Sequence, residues 1–359
     1  MDDPVFIIAE AGVNHNGKDE LAFKLVEAAA QAGADAVKFQ TFKVDQLVCR
    51  RAPKASYQTR QTGDKESQFE MLKKLELGEA LHRDLIRHCE AHRVQFLSTP
   101  FDLESLEFLV RQLDLPQLKL SSGDITNAPL LLKSAHARRP ILLSSGMTTL
   151  DEIELALGVL SFGLLQKKET PNTKNFQRSY CSEEGRSVLR EFVTLLHCTT
   201  EYPAPLESVN LNALDTLSSA FGLKVGYSDH TTGIVASVAA VARGARVIEK
   251  HFTLDRDLDG PDHGSSLEPG EFRVMVDSIR QCELAMGDSR KIPTAGEMKN
   301  RTVVRKSLVA ARDISKGEMF SEENLTFKRP GDGLSPMNFW DALGKIATRS
   351  FSADEPISL

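Results

Sequence analysis

Along the chain, short runs of apolar residues alternate with longer stretches whose apolar positions recur at helical spacing. The runs fall at residues 5–9, 36–39, 94–97, 118–120, 141–143, 193–196, 225–227 and 247–249. They are near-continuous in Val, Ile, Leu and Ala, the pattern of strands buried on both faces. Between the first two lie Leu21, Leu25, Ala28 and Ala32, one face of a helix that Gly33 is placed to end. Thr149 and Glu152 form a T-x-x-E capping box ahead of Ile153, Leu157 and Leu160. Pro269, followed by Phe272, Val276 and Ile279, opens another helix with proline in its tolerated first turn. Eight strands alternating with helices predict a (β/α)8 TIM barrel, whose usual size is about 250 residues, with a doubly wound sheet as the alternative.

Two segments exceed a minimal barrel. Residues 65–93 form a charged, largely helical stretch between the second and third strands. Residues 165–190, largely polar, make the connection between the fifth and sixth strands longer than one helix requires and read as a surface insertion, partly disordered or weakly helical. The pattern changes after Met286, where GDSRKIPTAGEMKNR is polar and rich in turn formers. The predicted organisation is a barrel over 1–287, a linker over 288–300 and a small, mostly β domain over 301–359. So small a module has a marginal core by itself and is expected to dock on the barrel or on a second subunit.

Composition removes several function classes. The 359 residues are 41% hydrophobic and carry a formal net charge of -6, with no long Lys/Arg run to condense on a phosphate backbone, so nucleic acid is not an expected partner. No apolar stretch reaches the roughly 18 residues of a membrane span, and the start, MDDPVFIIAE, is acidic where a secretory signal is basic. A cytoplasmic protein without membrane contact is expected. Cys49, Cys89, Cys181, Cys198 and Cys282 are odd in number and contain no CxxC pair, which favours free thiols.

In a barrel, chemistry belongs where the strands end. There the chain places Glu10, Lys38, Gln40, Ser98, Thr99, Lys119, Ser122, Asp124, Ser144, Thr200, Tyr202, Ser228, Asp229, His230, Lys250 and His251. Lys38 and Lys119 sit inside strand runs, and a lysine buried without a partner would lose its charge or destabilise the fold. Either an anionic ligand, held with Ser98, Thr99, Ser122 and nearby backbone N–H groups, or ion pairs with Glu10 and Asp124 would supply that partner. No P-loop or GxGxxG pattern points to a nucleotide. His230 and His251 end neighbouring strands, whose backbones lie about 4.8 Å apart, so their imidazoles can converge on one ion. Metal binding, proton handling and a core role all remain open for them. With Glu10, water and substrate as oxygen donors, manganese or magnesium would suit such a site better than closed tetrahedral zinc. His15, His82, His88, His92 and His136 read as surface or supporting residues, and His263 is placed to face a sugar.

The ordered series IIAEAGVNHNG, AVKFQT, FLSTPFD, KLSSGD, ILLSSGM, LLHCTTEYP, GYSDHTTG, VIEKHFTLDR, GPDHGSSLEPGE and FKRPGDG resembles the sialic acid synthase family over nearly the whole length. The resemblance implies a TIM barrel followed by an antifreeze-like SAF domain. It implies condensation of phosphoenolpyruvate with an N-acylated amino sugar, N-acetylmannosamine first, to give N-acetylneuraminate and phosphate. Legionaminate and phosphorylated-sugar synthesis are the alternatives within the family. His230 and His251 match its metal ligands, with manganese expected and magnesium or cobalt as alternatives. Lys38, Thr99, Lys119, Ser122 and Ser144 match residues that hold phosphoenolpyruvate. Gln40, Asp124, Tyr202 and Asp262 fall where the sugar is held, joined by Thr200 and Ser228. Glu10 matches an acidic residue at the reacting centre. The family's small domain crosses to its partner in a dimer and offers an arginine to the sugar, here Arg329. Asp124, where many members have glutamate, and Thr200 with Glu201 depart from the commonest pattern at the sugar end. A metal-dependent aldolase and a non-catalytic carbohydrate-binding protein are the readings outside the family.

Overall fold

The computed structural model describes residues 3–359, and the chain divides into two compact units, Met1–Gly287 and Asp288–Leu359. The eight apolar runs of the first unit become the parallel strands β1 (Phe6–Gly12), β2 (Ala36–Thr41), β3 (Gln95–Pro100), β4 (Leu118–Leu120), β5 (Ile141–Ser144), β6 (Val193–Cys198), β7 (Lys224–Asp229) and β8 (Val247–His251). β1 pairs on one side with β2 and on the other with β8, and β4 lies beside β3. Pairing of the first strand with the last curls the sheet into a barrel and removes the doubly wound alternative, in which those strands would lie apart.

Helices pack outside the strands for the reasons legible in the sequence. Thr149 Oγ1 accepts from the Glu152 amide at the start of the helix Leu150–Leu164, and Pro269 opens the helix Pro269–Met286. One large apolar core lies between sheet and helices, while Ile8, Ala36, Leu97, Leu142, Leu196 and Val247 form a second, separate cluster that fills the barrel interior. A third small cluster, including Val13, Phe42, Val44, Met71 and Leu72, ties the β2–β3 connection to the strand ends.

Residues 165–190 differ from expectation. They hold two helices, Thr173–Cys181 and the start of Glu183–Phe192, each N-capped by its own Asn172 or Ser182 side chain. Phe176 packs edge-on against Phe162 at 5.3 Å and Tyr180 also packs on the barrel core, so two aromatic side chains seat an otherwise polar helix on the barrel.

In the second unit β9 (Ser307–Ala310) runs antiparallel to β10 (Leu325–Lys328), with bridges Ile314–Phe351 and Met319–Ile346 around a core of Leu308, Ile314, Phe320, Leu325 and Phe351. A capped helix, Ala295–Val304, begins within the segment expected as linker, and none of its residues is buried within the structure as described. No helix among the described residues is long and apolar enough to cross a membrane.

Candidate active site

Successive side chains of a strand alternate between its two faces, so residues two apart line one face of the barrel wall. Starting from the interior cluster and stepping two residues along each strand, Ile8 leads to Glu10, Ala36 to Lys38, Leu97 to Thr99, Leu142 to Ser144, Leu196 to Cys198 and Val247 to Glu249. Lys119 of β4 and Ser228 of β7 complete this polar layer. One further step gives Gln40, Thr200, His230 and His251. Both layers line a single cavity of about 340 Å³. An apolar plug therefore carries a charged floor, and the two histidines stand above it.

The floor is a buried ion network. Lys38 Nζ lies 2.6 Å from Glu10 and 3.6 Å from Glu249, and donates to Thr99 Oγ1 at 3.0 Å. Lys119 Nζ lies 3.2 Å from Glu249, which also accepts from Ser228 Oγ at 2.7 Å. The ion-pair alternative thus holds for Lys38 and Glu10, but the partner of Lys119 is Glu249 and not Asp124. Burial pushes the Glu10 carboxyl up, against Lys38, and the neighbouring Glu249 charge adds to that. Glu249 is itself opposed by burial, but the Lys119 and Lys38 ammoniums outweigh it and hold the carboxyl down. Glu249 is the fixed anion, and Glu10 is the carboxyl that takes a proton first.

The histidines are neutral. Burial brings His230 down to about 4 from 6.5, and burial with the neighbouring His230 holds His251 well below its ordinary value. Their ring centroids are 5.5 Å apart. His230 Nδ1 donates to the Thr199 carbonyl at 2.6 Å, which leaves Nε2 an acceptor, 3.4 Å from Ser228 Oγ, whose shorter bond goes to Glu249. His251 Nδ1 and Ser144 Oγ are buried with no hydrogen-bond partner among the described residues. Two neutral, converging imidazoles and an unpartnered ring nitrogen fit a divalent ion in an open site that leaves positions for water and substrate. Behind them, Asp229 and Lys250, adjacent in sequence to the two histidines, form a wholly buried pair at 2.9 Å, held further by Ser237 and Thr231. This strut fixes the separation of the strand ends that carry the rings.

The wall above is aromatic and amidic. Tyr202 packs over His230 at 4.2 Å, and Tyr57, from the β2–β3 connection, packs on Tyr202 at 4.9 Å. Asp262 lies with its carboxylate 3.9 Å from His251 Nδ1, and burial, aided by Glu10, raises it to about 7. Gly146 lets its backbone N–H reach Ser122 Oγ at 2.9 Å. A Cβ there would stand 2.3 Å from Thr200 Oγ1 and 2.8 Å from Cys198 Sγ.

Of the residues expected at the site, Glu10, Lys38, Gln40, Thr99, Lys119, Ser122, Ser144, Thr200, Tyr202, Ser228, His230, His251 and Asp262 line this one cavity. Asp124 does not. It closes its own turn, accepting from Ser121 Oγ at 2.6 Å and from Asn127. His263 is buried against Thr253 Oγ1 at 2.7 Å and is not among the lining residues. His15 and His82, read as surface or supporting residues, are buried, and His82 is locked between Thr41 and the Gly78 carbonyl. Arg329 belongs to the second unit, where it is exposed just after β10.

The NeuB family model matches residues 25–291, and the SAF domain model matches residues 305–359. The chain belongs to the NeuB family. This is the sialic acid synthase family, and the barrel followed by a SAF domain agrees with it. The chain is 52% identical over 351 residues to the N,N'-diacetyllegionaminic acid synthase of Campylobacter jejuni, covering 98% of each chain. It is 43% identical to the enzyme of the same name from Legionella pneumophila, covering 97% of this chain and 92% of that one. Among solved structures it is similar to the N-acetylneuraminic acid synthetase of Leptospira borgpetersenii crystallised with citrate. That similarity has a TM-score of 0.66 and 32% identity, over 83% of this chain and 90% of the other.

Sequence reasoning missed three features of this NeuB-family site. Glu249 was hidden between strand apolars and His251, although its spacing of two from both Val247 and His251 marks it as facing the barrel interior. The Asp229–Lys250 strut has the opposite parity. Tyr57, Gln58 and Gln68 come from a connection whose path over the mouth no local pattern specifies.

Proposed function

We propose that this chain condenses phosphoenolpyruvate with the open-chain aldehyde of an N-acylated amino sugar. Water is consumed, and the products are a nine-carbon 2-keto-3-deoxy acid and inorganic phosphate. The observation that carries the reading is the layered cavity, with two buried ammoniums and their two carboxylates below a pair of neutral imidazoles.

Lys38 and Lys119, with Thr99, Ser122 and Ser144, would hold the phosphate and carboxylate of phosphoenolpyruvate and present its C3 to the aldehyde. A divalent ion held by His230 and His251, manganese by preference, would supply Lewis-acid polarisation of the aldehyde carbonyl. As C3 attacks, the new C–C bond leaves a cation at C2, and the sugar oxygen takes a proton. Glu10 is the assigned donor, since burial pushes its carboxyl up and it lies 2.6 Å from Lys38. Water adds at C2 and gives up a proton, and the C2–O bond to phosphorus then breaks, releasing phosphate and leaving the ketone. Glu249 stays ionised throughout and keeps both lysines charged and in place. Asp124 takes no part unless its turn opens.

Within the family, an unphosphorylated sugar with two acetamido groups fits the wall better than N-acetylmannosamine 6-phosphate. The lining beyond the floor contains Val13, Leu47, Val48, Leu72 and Phe101 beside the Gln40, Gln58 and Gln68 amides. Its only cations among the described residues are Lys38 and Lys119, both already facing carboxylates. The names of the Campylobacter and Legionella relatives support the same choice. Arg329, offered by the second unit of a partner in a domain-swapped homodimer, would complete the sugar site, and the enzyme would work in the cytoplasm.

The reaction is tested with phosphoenolpyruvate carrying 18O at its bridging oxygen. The label is expected in inorganic phosphate, and its retention in the keto acid would exclude C–O cleavage.

A further inference from the structure

We propose that Glu27, His88 and His92 form a second metal site, for a zinc-type divalent ion, on the outside of the barrel. It does not depend on the function proposed for the cavity. His88, in the last turn of the helix Glu79–Ala91, and His92, which caps its C-terminus, are four residues apart, so their rings lie on one side, one turn apart. The neighbouring helix, Asp19–Gln31, brings up Glu27, whose Oε1 lies 3.2 Å from His88 Nε2. One ligand atom from each of the three lies within 4.8 Å of the others, and no other group of three or more His, Cys, Asp or Glu among the described residues meets that condition.

Several features point beyond a surface ion pair. His88 is pre-positioned, partly buried edge-on against Phe23 at 4.9 Å. A pair with Glu27 needs only His88, yet the His92 ring stands 4.6 Å from it and makes no hydrogen bond among the described residues. Two imidazoles at that distance repel when both are protonated, whereas a shared ion would bind both neutral rings and the carboxylate. The donor set of two nitrogens and one oxygen suits zinc, copper or nickel and disfavours magnesium and calcium, which need oxygen ligands. The ion would join two adjacent outer helices. His92 lies just before β3, while the cavity opens where β3 ends, so the two sites are at opposite ends of the strand. Its function would be to clamp the helices, with stability rising by mass action.

The test is zinc binding by the full-length, chelator-stripped protein, measured by competition with a chromophoric chelator and by thermal shift. The active-site variant His251→Ala serves as background. It should retain one zinc equivalent, and adding His92→Ala or Glu27→Gln should weaken that binding by about tenfold or more. In the otherwise unaltered protein, His92→Ala should abolish the part of the zinc-induced rise in Tm that His251→Ala leaves, without changing turnover with manganese. The proposal is overturned if the His251→Ala protein, folded by circular dichroism, binds no zinc, or if His92→Ala and Glu27→Gln leave affinity and thermal shift unchanged.

Discussion

Asp262 stores a measurable cost in the folded barrel. Its carboxyl is raised to about 7 from an ordinary 3.8, first by burial and then by Glu10. The folded state therefore holds this proton more tightly than the unfolded chain does. Its contribution to stability is most favourable below 3.8, falls as pH rises, and levels off above about 7. With those two values, the penalty grows by about 2.5 kcal/mol between pH 5 and pH 8, at about 1.36 kcal/mol per unit of differential protonation. Asp262→Asn keeps the shape of the protonated carboxyl and cannot ionise. Metal-free wild type and Asp262→Asn should be unfolded in urea at both pH values and followed by far-UV circular dichroism, which the barrel helices dominate. The single tryptophan, Trp340, lies in the second unit and provides a separate signal for it. The variant should gain on the wild type by about 2.5 kcal/mol from pH 5 to pH 8 in the barrel transition. Parallel behaviour of the two proteins would show that Asp262 is ionised in the fold at neutral pH, and that the cavity is wetter or better compensated than its geometry implies.

Further predictions concern the charged floor, the histidines and the second unit. Glu249→Gln leaves Lys38 and Lys119 with one carboxylate between them, and should destabilise the barrel by about 3 kcal/mol. Phosphoenolpyruvate, by restoring negative charge, should raise the Tm of this variant more than that of the wild type in a thermal-shift assay. His230→Ala or His251→Ala should remove most turnover and lower manganese affinity while leaving circular dichroism unchanged, and normal activity after exhaustive chelation would contradict the metal role. Arg329→Ala should weaken sugar use and leave phosphoenolpyruvate binding nearly intact. Mixing inactive Arg329→Ala and His251→Ala subunits should restore activity towards half the wild-type value per heterodimer, and no recovery after confirmed subunit exchange would assign Arg329 to its own barrel or to none.

The strands were legible because both faces of a barrel strand are buried, so each reads as an unbroken apolar run. The polar residues at their ends were legible because they interrupt such runs abruptly. Glu249 escaped because an acid inside a strand has no local signature, and only its spacing from Val247 and His251 reveals which way it faces. Asp124 was misdirected by the opposite effect: it follows a strand closely, yet a turn closed by Ser121 and Asn127 takes its carboxylate elsewhere. The helices after residue 172 hold on to the barrel through few apolar side chains, Phe176 foremost, so their pattern resembled a solvated loop. The helix Ala295–Val304 is without buried residues in the structure as described and offered no apolar stripe to read.

The central claim is condensation of phosphoenolpyruvate with an amino-sugar aldehyde, and stoichiometry tests it most directly. The purified enzyme would be given phosphoenolpyruvate, manganese and, in turn, N-acetylmannosamine, its 6-phosphate and the 2,4-diacetamido-6-deoxy sugar. Inorganic phosphate and 2-keto-3-deoxy acid would both be quantified. Equal amounts of the two, formed only when sugar and divalent ion are both present and fastest with the diacetamido sugar, are the predicted result. Phosphate release that ignores the sugar, or keto acid formed without phosphate, would contradict it.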